Sequence, residues 1–162
     1  MSVYHIDGAS GTGKTTIAEE LIRRGYKAVD ADEEFGYFAD LKTGMPAEKR
    51  EDNWIWHEEK ISKFLSDNQN ETVFICGGSM NSGNYKNNFE KSLMLHVDTE
   101  TLKHRLLSRT NNDYGKHPDE LSRQIDWNNK VPQFARENNF TLVDSSGPVD
   151  VVVDNILTNL GI

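Results

Sequence analysis

The chain has 162 residues with 26 acidic against 18 basic side chains, a net charge of −8, and one cysteine, Cys76. That length suits a single domain spanning 1–162, a sheet covered by helices on both faces, with no added motor or regulatory unit expected. No apolar run nears the roughly 20 residues that span a bilayer, no basic-then-apolar leader opens the chain, and no dense Lys/Arg block offers a surface for nucleic acid or membrane. A soluble, cytoplasmic protein without those partners is expected, as a monomer or weak homodimer. Cys76 can form no intrachain disulfide and reads as a small buried strand residue.

Taken in order, Val3-Tyr4-His5-Ile6-Asp7 is a short strand and residues 15–22 carry apolar groups at helical spacing. Gly25 stops that helix, and Lys27-Ala28-Val29-Asp30 is a second strand. Residues 33–46, with Phe35, Tyr37, Phe38 and Leu41 but no firm period, read as an irregular or partly helical cover. A helix is predicted over 48–68, where Trp54, Ile55, Ile61, Phe64 and Leu65 recur. Trp54 and Trp56 cannot share one face of it, so packing is assigned to Trp54 while Trp56 and His57 stand open as pocket residues. His5 reads as a satisfied sheet residue.

Thr72 to Cys76 is an apolar third strand, closed by Gly77-Gly78-Ser79. A short helix near 85–89 leads to a fourth strand over 92–97, and Asp98-Thr99 opens another helix. Residues 110–118 form a polar loop, 119–138 a helix despite Pro132, 140–143 a fifth strand and 149–160 a closing helix. Alternating strands and helices give an α/β fold of three layers around a five-stranded parallel sheet.

Residues 8–15, Gly8-Ala9-Ser10-Gly11-Thr12-Gly13-Lys14-Thr15, match the phosphate-loop pattern G-x-x-x-x-G-K-[ST] between a strand and a helix. Glycines let backbone N–H groups curl around a phosphate, and the helix N-terminus adds positive potential. These residues and Thr16 are candidate nucleotide contacts, with Lys14 reaching the β- and γ-phosphates and the Thr15 hydroxyl a ligand for Mg²⁺. Parallel sheets bind ligands beyond the carboxyl ends of their strands. Asp30 and Asp32 stand there, one able to hold Mg²⁺ through water and the other to take a proton from a hydroxyl. The alternative is an acidic helix start, Asp32-Glu33-Glu34, on a solvated face. Arg105 and Arg109, four apart before the polar loop, could close over a nucleotide or simply complement a helix C-terminus.

This order of motifs resembles small P-loop kinases, above all shikimate kinases, across almost the whole chain. The resemblance implies a P-loop NTPase fold with a short lid over 110–118, and ATP-dependent phosphoryl transfer to a small-molecule acceptor with Mg²⁺. It implies Asp30 on the Mg²⁺ side, Asp32 holding the acceptor hydroxyl, and Gly77 and Gly78 against the acceptor. Ser79 replaces the family's third glycine, and Lys130, before Pro132, stands where the family has an acceptor-binding arginine, whose bidentate hold lysine does not reproduce. The related nucleoside monophosphate kinases imply Arg105 over the base, Arg109 at the phosphates, and residues 144–148 along the adenine edge. With Lys14, Asp32 and Arg109 as the expected catalytic set, a kinase is the first reading. A nucleotide-binding regulatory protein without transfer activity is the alternative, and the absence of Asn-Lys-x-Asp speaks against a GTP switch.

Overall fold

The computed structural model describes residues 2–50 and 52–162. Met1 and Glu51, the latter inside the helix expected over 48–68, lie outside the described residues. In chain order the elements are β1 (Val3–Gly8), α1 (Lys14–Arg23), β2 (Lys27–Asp30), α2 (Ala31–Phe35), β3 (Gly36–Phe38), β4 (Trp54–Trp56) and α3 (Glu58–Asp67). After them come β5 (Val73–Cys76), a 3-10 turn (Ser82–Asn88), β6 (Lys91–His96), α4 (Thr99–Ser108), α5 (Pro118–Glu137), β7 (Thr141–Asp144) and α6 (Val149–Leu160).

Five strands form a parallel sheet in the order β2-β5-β1-β6-β7. Tyr4, Ile6, Phe74, Cys76, Leu93 and Leu95 face α1 and α6, packing with Ile17, Leu21, Val153 and Ile156. On the opposite face Ile75 packs with Phe35, Trp56 and Ile61 of the α2–α3 side, and Met94 packs with Val131 and Ala135 of α5. Each fully buried aliphatic side chain contributes roughly 1.5–3 kcal/mol. The three-layer fold is the one the sequence implies. Among the described residues no helix is long and apolar enough to cross a membrane.

One expected element is wrong. The helix over 48–68 is a strand followed by a shorter helix: β4 pairs antiparallel with β3, Tyr37 opposite Ile55, and α3 begins only at Glu58. Two aromatics around a β-branched residue favour the pleated surface. Asn81 locks the strand further, accepting from the Trp56 N–H at 2.9 Å and donating to the Trp56 carbonyl at 3.0 Å. The packing role assigned to Trp54 falls to Trp56, which is fully buried against Phe35 and Tyr85, while Trp54 is half-buried and reaches Asp32. His57 stacks on Tyr37 with ring centroids 3.6 Å apart. The irregular cover is in fact α2 and β3, followed by an exposed strap over residues 40–50.

The register fixes what meets at the carboxyl edge. Asp30 is level with Cys76, and Cys76 with Ile6, so Ala31, Gly77 and Asp7 emerge side by side one residue later.

Candidate functional site

The loop after β1 runs from Gly8 into α1, and Gly13 sits at φ 104°, a left-handed conformation that other residues adopt only under strain. That turn aims the unpaired N–H groups of the first helical turn into the cleft, where the helix dipole favours an anion. Lys14 Nζ donates to the carbonyls of Gly8 at 2.6 Å and Ala9 at 3.1 Å, folded back along the loop. Thr12 is buried and donates to the Ala9 carbonyl at 2.7 Å, holding the curl.

Asp30 ends β2 and caps α2, with Oδ1 accepting from the N–H groups of Asp32 and Glu33 at 3.0 and 3.2 Å. Its Oδ2 accepts from the Thr15 hydroxyl at 2.5 Å. The pair offers the hard oxygen donors that Mg²⁺ takes. Among the described residues there is no group of three or more His, Cys, Asp or Glu side chains arranged for a metal. Phosphate oxygens and water would complete the coordination, as is usual for Mg²⁺.

Asp32 lies on the first turn of α2, half-buried, while Glu33 and Glu34 beside it are exposed. The acidic helix start and the inward carboxylate therefore coexist. Burial raises the Asp32 pKa above the ordinary carboxylate value, opposed by Lys14 and by the Trp54 indole N–H, which donates to Oδ1 at 3.3 Å; Asp30 and Asp7 push it up further. Gly77, at φ 150°, brings the end of β5 close: a Cβ there would stand 3.0 Å from Asp32 Oδ1 and 2.9 Å from Ala31 Cβ. His5 Nε2 donates to the Gly77 carbonyl at 2.8 Å, which places its proton on that nitrogen. Burial holds the His5 pKa below the ordinary value, so the ring is a neutral brace.

On the other side of the loop Arg105 reaches the carbonyls of Ser145 at 2.9 Å, Ser146 at 3.1 Å and Thr12 at 3.5 Å. The Ser145 hydroxyl donates to the Thr12 carbonyl at 2.8 Å, tying the segment after β7 to the phosphate loop. Arg109 caps α4 and donates to the Ser10 hydroxyl at 3.1 Å and to the Asn112 and Tyr114 carbonyls at 3.1 and 2.5 Å. The loop over 110–117 is thereby pinned to the phosphate loop.

A cleft of about 930 Å³ joins these groups, lined by residues of the loop from Ser10 to Thr16, by Asp30, Asp32 and Glu33, and by Arg105, Arg109 and Val149. Lys130 is not part of it. The inward stripe of α5 carries Asn128, Val131 and Ala135, which leaves Lys130 on the solvent face.

A family model described as AAA domain matches residues 5–128. The chain belongs to the AAA domain family. The matched residues include the phosphate loop, Asp30, Asp32, Arg105 and Arg109. Solved structures share its fold across nearly their full length. Deoxyadenosine kinase from M. mycoides with bound dATP is 20% identical, covering 100% of both chains at a TM-score of 0.62. Shikimate kinase from Bacteroides thetaiotaomicron is 14% identical, covering 99% of both at 0.59. A gluconokinase from Sinorhizobium meliloti is 18% identical, covering 99% of this chain and 91% of its own at 0.57. This AAA domain thus has the fold of small P-loop kinases. A sequence search of curated proteins gives no significant match.

Three site features escaped the sequence reading. Gln124 of α5 accepts the Ser10 N–H at 2.8 Å and donates to the Tyr114 hydroxyl at 3.2 Å. Trp54 is the donor to Asp32. Asp7 is the last residue but one of β1, where its Oδ1 accepts the Gly8 N–H at 2.7 Å, and its signal was a carboxylate near the end of a mostly apolar strand.

Proposed function

We propose that this AAA domain is an ATP-dependent kinase that moves the γ-phosphoryl group to a hydroxyl or phosphate of a small molecule. The observation that carries this reading is Asp32, a carboxylate made more basic by burial and held by Trp54 in the same cleft as Lys14 and the Thr15–Asp30 pair. A protein that only binds nucleotide has no need of a base kept in a setting that disfavours its charge.

In this reading Asp32 orients the acceptor hydroxyl and takes its proton. Lys14 leaves the Gly8 and Ala9 carbonyls for the β- and γ-phosphates, and Arg109 neutralises charge spreading over the transferred group. Thr15 and Asp30 would hold Mg²⁺, which supplies charge neutralisation between the phosphates. Arg105, with the Ser145 and Ser146 carbonyls, borders the base. The pinned loop over 110–117 excludes water, which would otherwise compete with the acceptor for the phosphoryl group.

The test is ADP release from Mg²⁺-ATP with and without nucleosides, nucleoside monophosphates, sugar acids, shikimate and polyols. Stimulation by one compound that Asp32→Asn abolishes is the expected result. Tight ATP binding with no stimulation, and no effect of Asp32→Asn on any nucleotide-dependent property, moves the chain to the regulatory reading.

A further inference from the structure

The acceptor end of the cleft has a charge pattern that restricts what it can take. Gly78 lies so close to the Asp7 side chain that a Cβ there would overlap both carboxylate oxygens, and the neighbouring Gly77 stands against Asp32. Two successive glycines after β5 thus let the backbone pack directly against two carboxylates, Asp7 and Asp32, each of which stays partly exposed. Among the described residues the Asp7 carboxylate accepts from the Gly8 N–H through Oδ1. The acids of the cleft wall itself are Asp30, Asp32 and Glu33, and Asp7 stands next to them behind Gly78.

The cations in the cleft lining are Lys14, Arg105 and Arg109. Arg105 is drawn to the segment after β7 and Arg109 to Ser10 and the loop over 110–117, both on the far side of the phosphate loop from Asp32. Lys14 is the cation acting on Asp32, and a triphosphate in the loop would claim it. An acceptor bearing a carboxylate or phosphate would then face like charges at short range, with no guanidinium among the described cleft-lining residues on that side to hold it, an arrangement that selects against it. Trp54 supplies the complementary surface. Its half-buried indole lies against Gly36 and Phe38 beside Asp32, and an aromatic face next to carboxylates suits a hydroxylated ring or an amine.

We infer that the acceptor is an uncharged or amine-bearing polyhydroxyl compound, held by Asp7 and Asp32 against Trp54, and not a sugar acid or a monophosphate. This inference rests on the kinase reading of the cleft and adds Asp7 as an acceptor-binding residue. Asp32 takes the proton of the attacking hydroxyl, and Asp7 accepts a hydrogen bond from a second hydroxyl or an ammonium group.

The test uses the full chain saturated with Mg²⁺ and a non-hydrolysable ATP analogue. Matched acceptors that differ in charge are titrated by saturation-transfer NMR: glucitol, glucosamine and gluconate, and nucleosides with their 5′-monophosphates. An uncharged or amine-bearing member binding at least about 10-fold tighter than its anionic partner is expected, the scale of one hydrogen bond to a charged group. Asp7→Asn should weaken that binding about 10-fold while leaving the affinity for the ATP analogue unchanged, which also reports that the variant is folded. Equal or tighter binding of the anionic partner, no binding by any uncharged or amine-bearing member, or an Asp7→Asn protein with unaltered acceptor affinity overturns the inference. Binding in the expected order with no acceptor-stimulated ADP release would instead refute the kinase reading and leave the charge selectivity standing.

Discussion

Asp32→Asn separates a catalytic role from a structural one. The substitution keeps the shape of the side chain, its Oδ1 can still accept from the Trp54 indole, and the start of α2 is capped by Asp30 rather than by Asp32. What disappears is the proton acceptor. Loss of a general base lowers kcat by about 10²- to 10⁴-fold, or about 3–5 kcal/mol of barrier. The KM for ATP should stay within about 3-fold of wild type, about 0.7 kcal/mol, because the phosphate loop, Thr15 and the arginines are untouched. Stability should move the other way. Asp32 titrates above its ordinary value of 3.8 in the folded chain, so just above that pH the folded state binds more protons than the unfolded one, and stability falls as pH rises through the window. The asparagine removes that loss, so the nucleotide-free variant should melt at a higher temperature than wild type at pH 7, and the gap should close below pH 3.8. Steady-state ADP release at saturating acceptor and calorimetric melting across pH measure both effects. A kcat loss under about 10-fold, an equal loss of acceptor-independent ATP hydrolysis, or a lower melting temperature at pH 7 would refute the reasoning.

Arg105→Ala removes the guanidinium that spans the Ser145 and Ser146 carbonyls, and should weaken ATP binding about 10-fold by titration calorimetry; unchanged affinity would detach Arg105 from the nucleotide site. Gly78→Ala would set a methyl group 2.6 Å from Asp7 Cγ, and should cost about 1–3 kcal/mol in urea denaturation. A neutral result would mean that the Asp7 side chain swings away freely. Cys76 is fully buried, which pushes its thiol pKa up, so iodoacetamide should label it only through opening of the sheet. ATP at 100 times its Kd should slow that labelling about 100-fold, and fast labelling of the native protein would contradict the burial.

The phosphate loop was legible because its chemistry is local: eight consecutive residues carry the glycines, the lysine and the hydroxyl, and a strand and a helix flank them within a few positions. The five strands of the parallel sheet were legible as short apolar runs, and α5 as a helix through Pro132. β4 was not. Trp54, Ile55 and Trp56 fit a helical stripe as well as a strand, and what decides is pairing with β3 and the Asn81 clamp, contacts that sequence spacing does not contain. Lys130 was drawn to the acceptor by its place before Pro132, yet the direction of a helical side chain depends on which stripe is buried, and in α5 that stripe passes through Asn128 and Val131.

The sequence alone therefore determined the phosphate loop, the layered α/β class and the residue types available for chemistry. Tertiary structure decided which of them meet. Asp7, Asp32 and Gly78 converge because β5 lies between β1 and β2 in one register, and Gln124 reaches Ser10 across 114 residues of chain. Helices and turns are set by neighbours a few residues apart, whereas a site at a sheet edge is set by strand order, and strand order follows from how the whole apolar surface is buried at once.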